Sequence, residues 1–329
     1  MTGGPASDDS LLPPGSSVDS ATELHPTPAA AFQQLGNKAR VDILRLLTAD
    51  GPCSFSTLFE ASDSDTSAGF AYHLRQLDDR FVRQRADERW ELTAAGREAA
   101  RTVVSGEFTR GVDHDAVTLS EPCPLCHEGA LTLSVSRSTA EVACSGCGES
   151  VMRLSFPPSG HIRDEDDLPG ALDTYHRNRI RTFVDGVCPD CGGSVETSPE
   201  LVGSDGANGD PLTAQLACSC TRCPASFDCP ATLSVLDHPA VVSFYDDHGQ
   251  NITERPVWNA GPEWRERVLS TEPWCLLVQT QLDDEVLELF IGGDGAVHEH
   301  RRRSEDASAP ADATDVPTES GERGDDAAA

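Results

Sequence analysis

Between Pro28 and Arg110 the apolar positions repeat as they do on packed helices. In TPAAAFQQLGNKARVDILRLLTADG, residues Phe32, Leu35, Ala39, Ile43, Leu46 and Leu47 fall near the roughly 3.6-residue helical period. Gly36-Asn37 separates two helices, with Asn37 placed to cap the second and Gly51-Pro52 placed to end it. Ser54 can cap a short third helix, SFSTLFEA, and the polar turn SDSD follows. TSAGFAYHLRQLDD predicts a fourth helix that turns Phe70, Leu74 and Leu77 inward and Ser67, Tyr72, Arg75 and Gln76 outward. FVRQRADERWELT predicts two short strands about a turn at Ala86-Asp87. TAAGREAARTVVSGEF closes the unit as a helix with Ala95, Ala99 and Val103 on one face.

Beyond residue 110 the period shifts toward strands. LTLSVSRSTAEVA supplies strands between cysteine pairs, and LPGALDTYHRNRIRTFVDG predicts a connecting helix with Leu172, Tyr175, Ile180 and Phe183 available for packing. HPAVVSFYDDHG reads as a short helix, and ETSPELVGSDGANGDP as a long loop. WCLLVQTQL, EVLELFI and AVHEHRRR predict an antiparallel meander with Asp283-Asp284 in its first turn. GGDG at 292–295 follows a strand but opens no helix, so it reads as a hairpin turn and not a phosphate loop. Trp258, Trp264 and Trp274 read as packing residues in preference to the lining of a ligand pocket.

The pattern predicts an α+β chain with a helical unit at 28–110, cysteine modules at 111–160 and 187–253, a helix at 161–186 and a β meander at 254–303. Residues 1–27 are rich in Ser, Pro, Gly and Asp and predict a disordered leader. Residues 304–329, with eight acidic residues and one arginine, predict a disordered acidic tail.

Charge sharpens this division. Acidic residues outnumber basic ones by 55 to 25 for a formal charge of -30, and Lys38 is the only lysine in the chain. A carboxylate-rich surface almost free of lysine stays hydrated where salt is concentrated, which points to a halophile's cytoplasm. Residues 28–110 hold 11 basic and 12 acidic side chains, a net of -1, so the other segments carry -29 of the -30. The helical unit alone has escaped acidification, and Arg83, Arg85 and Arg89 in its hairpin are candidates to neutralise phosphates. No apolar run reaches the roughly 20 residues that span a bilayer, and the N-terminus lacks a signal-peptide pattern.

Eight of the 12 cysteines form four CxxC pairs, which in a reducing compartment points to metal and not to disulfides. Cys123 and Cys126 pair with Cys144 and Cys147, with Gly146 and Gly148 suited to the tight turns around sulfur. Cys188 and Cys191 pair with Cys220 and Cys223, although Cys218 or Cys229 remains an alternative ligand. Two closed four-cysteine sets predict two structural zinc ions per chain, because a catalytic zinc keeps a position open for water. His127, His161, His176 and the acidic run RDEDD at 163–167 are not taken as ligands.

LGNKARVDILRLL, then YHLRQLDDRFV and a basic hairpin, resembles the ArsR-type transcriptional regulators over about 80 residues. The appended cysteine modules resemble the zinc ribbons of archaeal regulators, and the whole is similar to ArsR-like proteins of halophilic archaea. The resemblance implies a winged helix-turn-helix, a homodimer through the first and last helices of the unit, the fourth helix in the major groove of double-stranded DNA and the wing near the backbone. Founding members of that family sense metal through cysteines in the helix before the recognition helix. Here only Cys53 lies just ahead of it, which reads as a small packing residue.

The expected function is DNA-binding regulation, with Ser67, Tyr72, Arg75, Gln76, Arg83, Arg85 and Arg89 as contacts and the remainder answering to an effector or a protein partner. The alternative is an adaptor of the transcription apparatus that does not read DNA. No nucleophile with a companion base occurs at recognisable spacing, so no enzymatic activity is expected.

Overall fold

The computed structural model describes residues 27–202 and 213–304. All but the last residue of the leader and all but the first residue of the acidic tail lie outside them, as do residues 203–211 of the predicted loop at 196–211. The chain is of mixed α+β class and divides into two compact units, Met1–Arg179 with Pro256–Asn259, and Ile180–Arg255 with Ala260–Ala329.

The first unit opens with helices α1 (Pro28–Leu35), α2 (Lys38–Asp50), α3 (Phe55–Glu60) and α4 (Ser67–Leu77). Side-chain oxygens begin each of them: Asn37 accepts from Ala39 N, Ser54 from Thr57 N and Thr66 from Gly69 N, satisfying N–H groups that lack partners within the helix. Strands β1 (Val82–Gln84) and β2 (Trp90–Leu92) form the hairpin, and α5 (Ala94–Ser105) follows. Ile43, Leu44, Leu58, Phe70, Leu74 and Leu77 make its core with Phe81, Val82 and Trp90. Cys53 is buried there, exchanging backbone hydrogen bonds with Trp90, so it extends the hairpin by one bridge. The inner line of α5 differs from the predicted one. Gly96 and Ala100 are buried, Ala99 and Val103 are half-buried and Ala95 is exposed, because the helix rests so close to Phe81 that a Cβ at Gly96 would run into the Phe81 carbonyl. Phe32 also departs from the predicted inward stripe and stands exposed on α1.

A four-stranded antiparallel sheet follows: β3 (His114–Pro122), β4 (Ala130–Ser136), β5 (Thr139–Cys144) and β6 (Ser150–Ser155), in chain order. Cross-strand pairs Leu131–Cys144, Leu133–Val142 and Val135–Ala140 line its buried face. Phe156, just past β6, meets Tyr175 edge to face on α6 (Leu168–Val184), which carries the chain from the first unit into the second. Pro256–Asn259 returns to the first unit, where Val257 N donates to Asp173 and Asn259 to the Pro122 carbonyl.

The second unit contains a three-stranded sheet, β7 (Val195–Val202), β8 (Thr213–Cys220) and β9 (Ser226–Pro230), then α7 (Ala231–Val235) and α8 (Pro239–Asp247). Strand β7 replaces the first half of the predicted loop. Its Pro199 is tolerated because β7 is an edge strand. A four-stranded meander ends the unit: β10 (Trp264–Thr271), β11 (Trp274–Leu282), β12 (Glu285–Gly292) and β13 (Val297–Ser304). One core serves both sheets, with Leu216 and Cys229 packed among Phe244, Tyr245, Leu276, Val278, Leu287 and Leu289. Trp264 stacks on Tyr245 in this core, and Trp274 packs against it, whereas Trp258 belongs to the first unit.

Candidate metal centres and the exposed helix face

The first cysteine set occupies two loops at one end of the β3–β6 sheet. Cys123 and Cys126 lie between β3 and β4, Cys144 ends β5 and Cys147 lies between β5 and β6. Sulfur separations are 3.9 Å for Cys123–Cys147 and 3.6 Å for Cys126–Cys144, and the four Sγ atoms all lie within 4.8 Å of one another. A tetrahedral ion with metal–sulfur bonds of about 2.3 Å places its sulfurs about 3.8 Å apart, so the set fits such an ion. Backbone N–H groups aim at the sulfurs: Leu125 N to Cys123 at 3.3 Å, Gly129 N to Cys126 at 3.4 Å and Gly146 N to Cys144 at 3.2 Å. The N–H groups of Glu128 and Gly129 hold the Cys126 thiol down at about 6, so a thiolate forms there readily. Gly129 is required by space, since a Cβ there would strike Cys144 Sγ. His127 is exposed with φ of 63° and serves the turn through its N–H bond to Cys123 O, away from any ligand role.

The second set repeats this geometry. Cys188–Cys223 and Cys191–Cys220 sulfurs are 3.7 and 3.5 Å apart, again inside a 4.8 Å cluster. Gly193 N donates to Cys191 and Arg222 N to Cys220, and the Arg222 and Cys223 N–H groups lower the Cys220 thiol to about 7. The choice among Cys218, Cys220 and Cys229 is settled by position. Cys218 is fully buried two residues back along β8, accepting from Thr197 Oγ1, and Cys229 sits in the hydrophobic core, where burial pushes its thiol up. Among the described residues these two cysteine sets are the groups able to hold a metal ion.

The candidate contacts to DNA lie on α4 and the hairpin. Ser67, Tyr72 and Arg75 are exposed and Gln76 is half-buried, opposite the buried Phe70, Leu74 and Leu77. The three hairpin arginines project from β1 and the turn, but each is engaged by a carboxylate of the same hairpin. Arg83 lies 2.7 Å from Glu91, Arg89 lies 2.7 Å from Asp87, and Arg85 lies between Asp87 and Glu91 at 3.4 and 3.5 Å. Sequence spacing indicated which arginines the hairpin carries; it did not indicate that Asp87 and Glu91 neutralise them.

His161 and His176 are buried beside Phe156 in the first unit. Burial foremost, with Arg179 assisting, lowers His176 to about 4, and burial lowers His161 also, so both rings are kept neutral.

Residues 120–297, more than half of the chain, match a domain of unknown function, DUF7351. The chain belongs to the DUF7351 family. Residues 28–103 match a second domain of unknown function, DUF7347, which coincides with the helices and the hairpin. The DUF7351 match includes both cysteine sets and most of the meander. No curated protein and no solved structure matches the chain. No helix among the described residues is long and apolar enough to cross a membrane.

Proposed function

We propose that the chain is a DNA-binding transcriptional regulator of ArsR-like winged-helix type, in which residues 28–110 engage double-stranded DNA. The two tetrathiolate centres hold structural zinc, in a region that answers to an effector or a protein partner. The observation that carries this reading is α4 itself. It sinks Phe70, Leu74 and Leu77 into the core and turns Ser67, Tyr72 and Arg75 outward, in a segment whose 11 basic and 12 acidic side chains nearly balance within a chain of net charge -30. In a major groove, Arg75 and Gln76 would reach base edges while the hairpin lies along phosphates. Zinc suits soft thiolates in a closed four-ligand set, which leaves no position for a reacting water. A second copy would pair through α1 and α5, where Phe32 and Val104 are 69% and 51% exposed.

The hairpin favours a second reading, an adaptor that binds the transcription apparatus without reading DNA, because its arginines are already paired with Asp87 and Glu91. Selection of bound genomic sequences, followed by titration of the full chain with a selected duplex and its scrambled counterpart, separates the two. The regulator reading expects at least about a thousandfold preference for the selected duplex. Equal affinity for both duplexes would sink it in favour of the adaptor.

A further inference from the structure

The register of the β10–β13 sheet sorts its side chains onto two faces. Leu276, Val278, Leu287 and Leu289 face the core beneath α8. On the opposite face the cross-strand neighbours form rows: Arg267, Leu277, Phe290 and Glu299, then Arg265, Gln279, Glu288 and Arg301. Arg303 stands next along β13, paired with Val286. Arginines therefore line both edges of this face, on β10 and on β13, with buried Leu277 and half-buried Phe290 between them, so that the Phe290 ring and the arginines are what the face presents. The two edges lie three strand spacings apart, about 14 Å, and arginines two positions apart on one strand are about 6.8 Å apart.

This concentration of cations runs against the rest of the chain outside the helical unit, which carries -29. Glu299 and Glu288 meet Arg301 and Arg303 at 2.8 and 3.1 Å, but these arginine side chains remain 59% and 41% exposed, and pairs of that kind are weak and screened by salt. Neither Arg265 nor Arg267 meets a carboxylate among the described residues; Arg265 donates to the backbone carbonyls of Pro262 and Trp264, which carry no charge to compete with a phosphate. The Arg301 guanidinium lies over the Phe290 ring, 5.1 Å from its centroid. A guanidinium held over an aromatic ring offers a stacking surface to a nucleobase, and the flanking arginines offer partners to phosphates. Duplex DNA keeps its bases inside and has no use for such a surface; a single strand uses both.

We propose that this outer face of the meander binds single-stranded nucleic acid, independently of any duplex contact made by residues 28–110. The test titrates the full chain with a labelled single-stranded oligonucleotide of mixed sequence, and with its duplex, at low and at molar KCl. The variant R265Q/R267Q/R301Q/R303Q should bind the single strand at least about tenfold more weakly than the wild type, with duplex affinity unchanged. R265Q/R267Q and R301Q/R303Q should each account for part of the loss, while R302Q, on the core-facing side above Phe244, should bind as the wild type does. Unchanged single-strand binding in the fourfold variant overturns the proposal, as does an equal loss for single strand and duplex, which would mark a general polyanion surface. Should the fourfold variant fail to fold, ultraviolet crosslinking of the unmodified oligonucleotide to wild-type protein still decides. Crosslinked peptides within 264–304 support the platform, whereas crosslinks confined to 28–110, or none, overturn it.

Discussion

Cys123, Cys126, Cys144 and Cys147 close one end of the β3–β6 sheet, and Cys188, Cys191, Cys220 and Cys223 close one end of the β7–β9 sheet, with nearly the same sulfur spacing. The surroundings of the two centres differ. All four cysteines of the first sit in or beside the turns of a single sheet, whose buried face is made by Leu131, Leu133, Val135, Ala140 and Val142. The second centre caps strands whose far ends run into the hydrophobic core shared with the meander, where Leu216 and Cys229 pack with α8, β11 and β12. Equal sulfur spacing therefore means an equal capacity to hold a metal ion but not an equal share of the fold. A metal ion carries most of the fold where few apolar residues can replace it.

The largest expected effect tests this difference. Cys144→Ser should release the first ion and cost roughly 5 kcal/mol, a part of the ~10–16 kcal/mol that structural zinc supplies in small domains. Hydrogen exchange should then show amide protection lost through β3–β6. Cys220→Ser should release the second ion, yet leave the amides of β11 and β12 protected in the same measurement. Equal loss of protection around both centres would erase the comparison. Leu289→Ala, at a fully buried position of the shared core, should cost about 3 kcal/mol by denaturant unfolding and weaken metal retention at the second centre alone.

Acid should strike the first unit through His176. With its folded-state value near 4 and an unfolded value of about 6.5, the unfolded chain takes up the proton first as pH falls. The stability of this site is therefore complete above about pH 6.5 and declines toward pH 4, by about 3 kcal/mol. His176→Gln should flatten that dependence in pH-resolved thermal melts. The smallest effect belongs to the hairpin. Arg83→Gln breaks a pair in which the arginine is 66% exposed, and it should change stability by less than about 0.5 kcal/mol, leaving any larger change in DNA affinity assignable to phosphate contact.

Features with local causes were legible in the sequence. Asn37 and Ser54 cap the helices that their side chains suit, Asp283-Asp284 turns β11 into β12, and the CxxC pairs name the residues the fold brings together. What escaped were strands with weak alternation. In β3 only Leu119 is buried, β10 carries Arg265, Glu266 and Arg267 in succession, and β7 is interrupted by Pro199. Such segments become strands because a neighbour offers a ladder, so their cause lies far off in the chain. Nor could the sequence separate Cys218 from Cys220, which lie on the same strand; core packing around Leu216 and Cys229 makes that choice. The inward line of α5 was missed by one residue, because contact between Gly96 and Phe81 sets the rotation of the helix.

The central claim is that both cysteine sets are closed metal centres that hold the fold. Native mass spectrometry of the full chain, purified without chelator, tests it most directly by counting ions on the folded protein. Two zinc ions per chain, with the second lost by Cys220→Ser and the first retained, is the predicted result. A folded chain carrying one ion or none would contradict it.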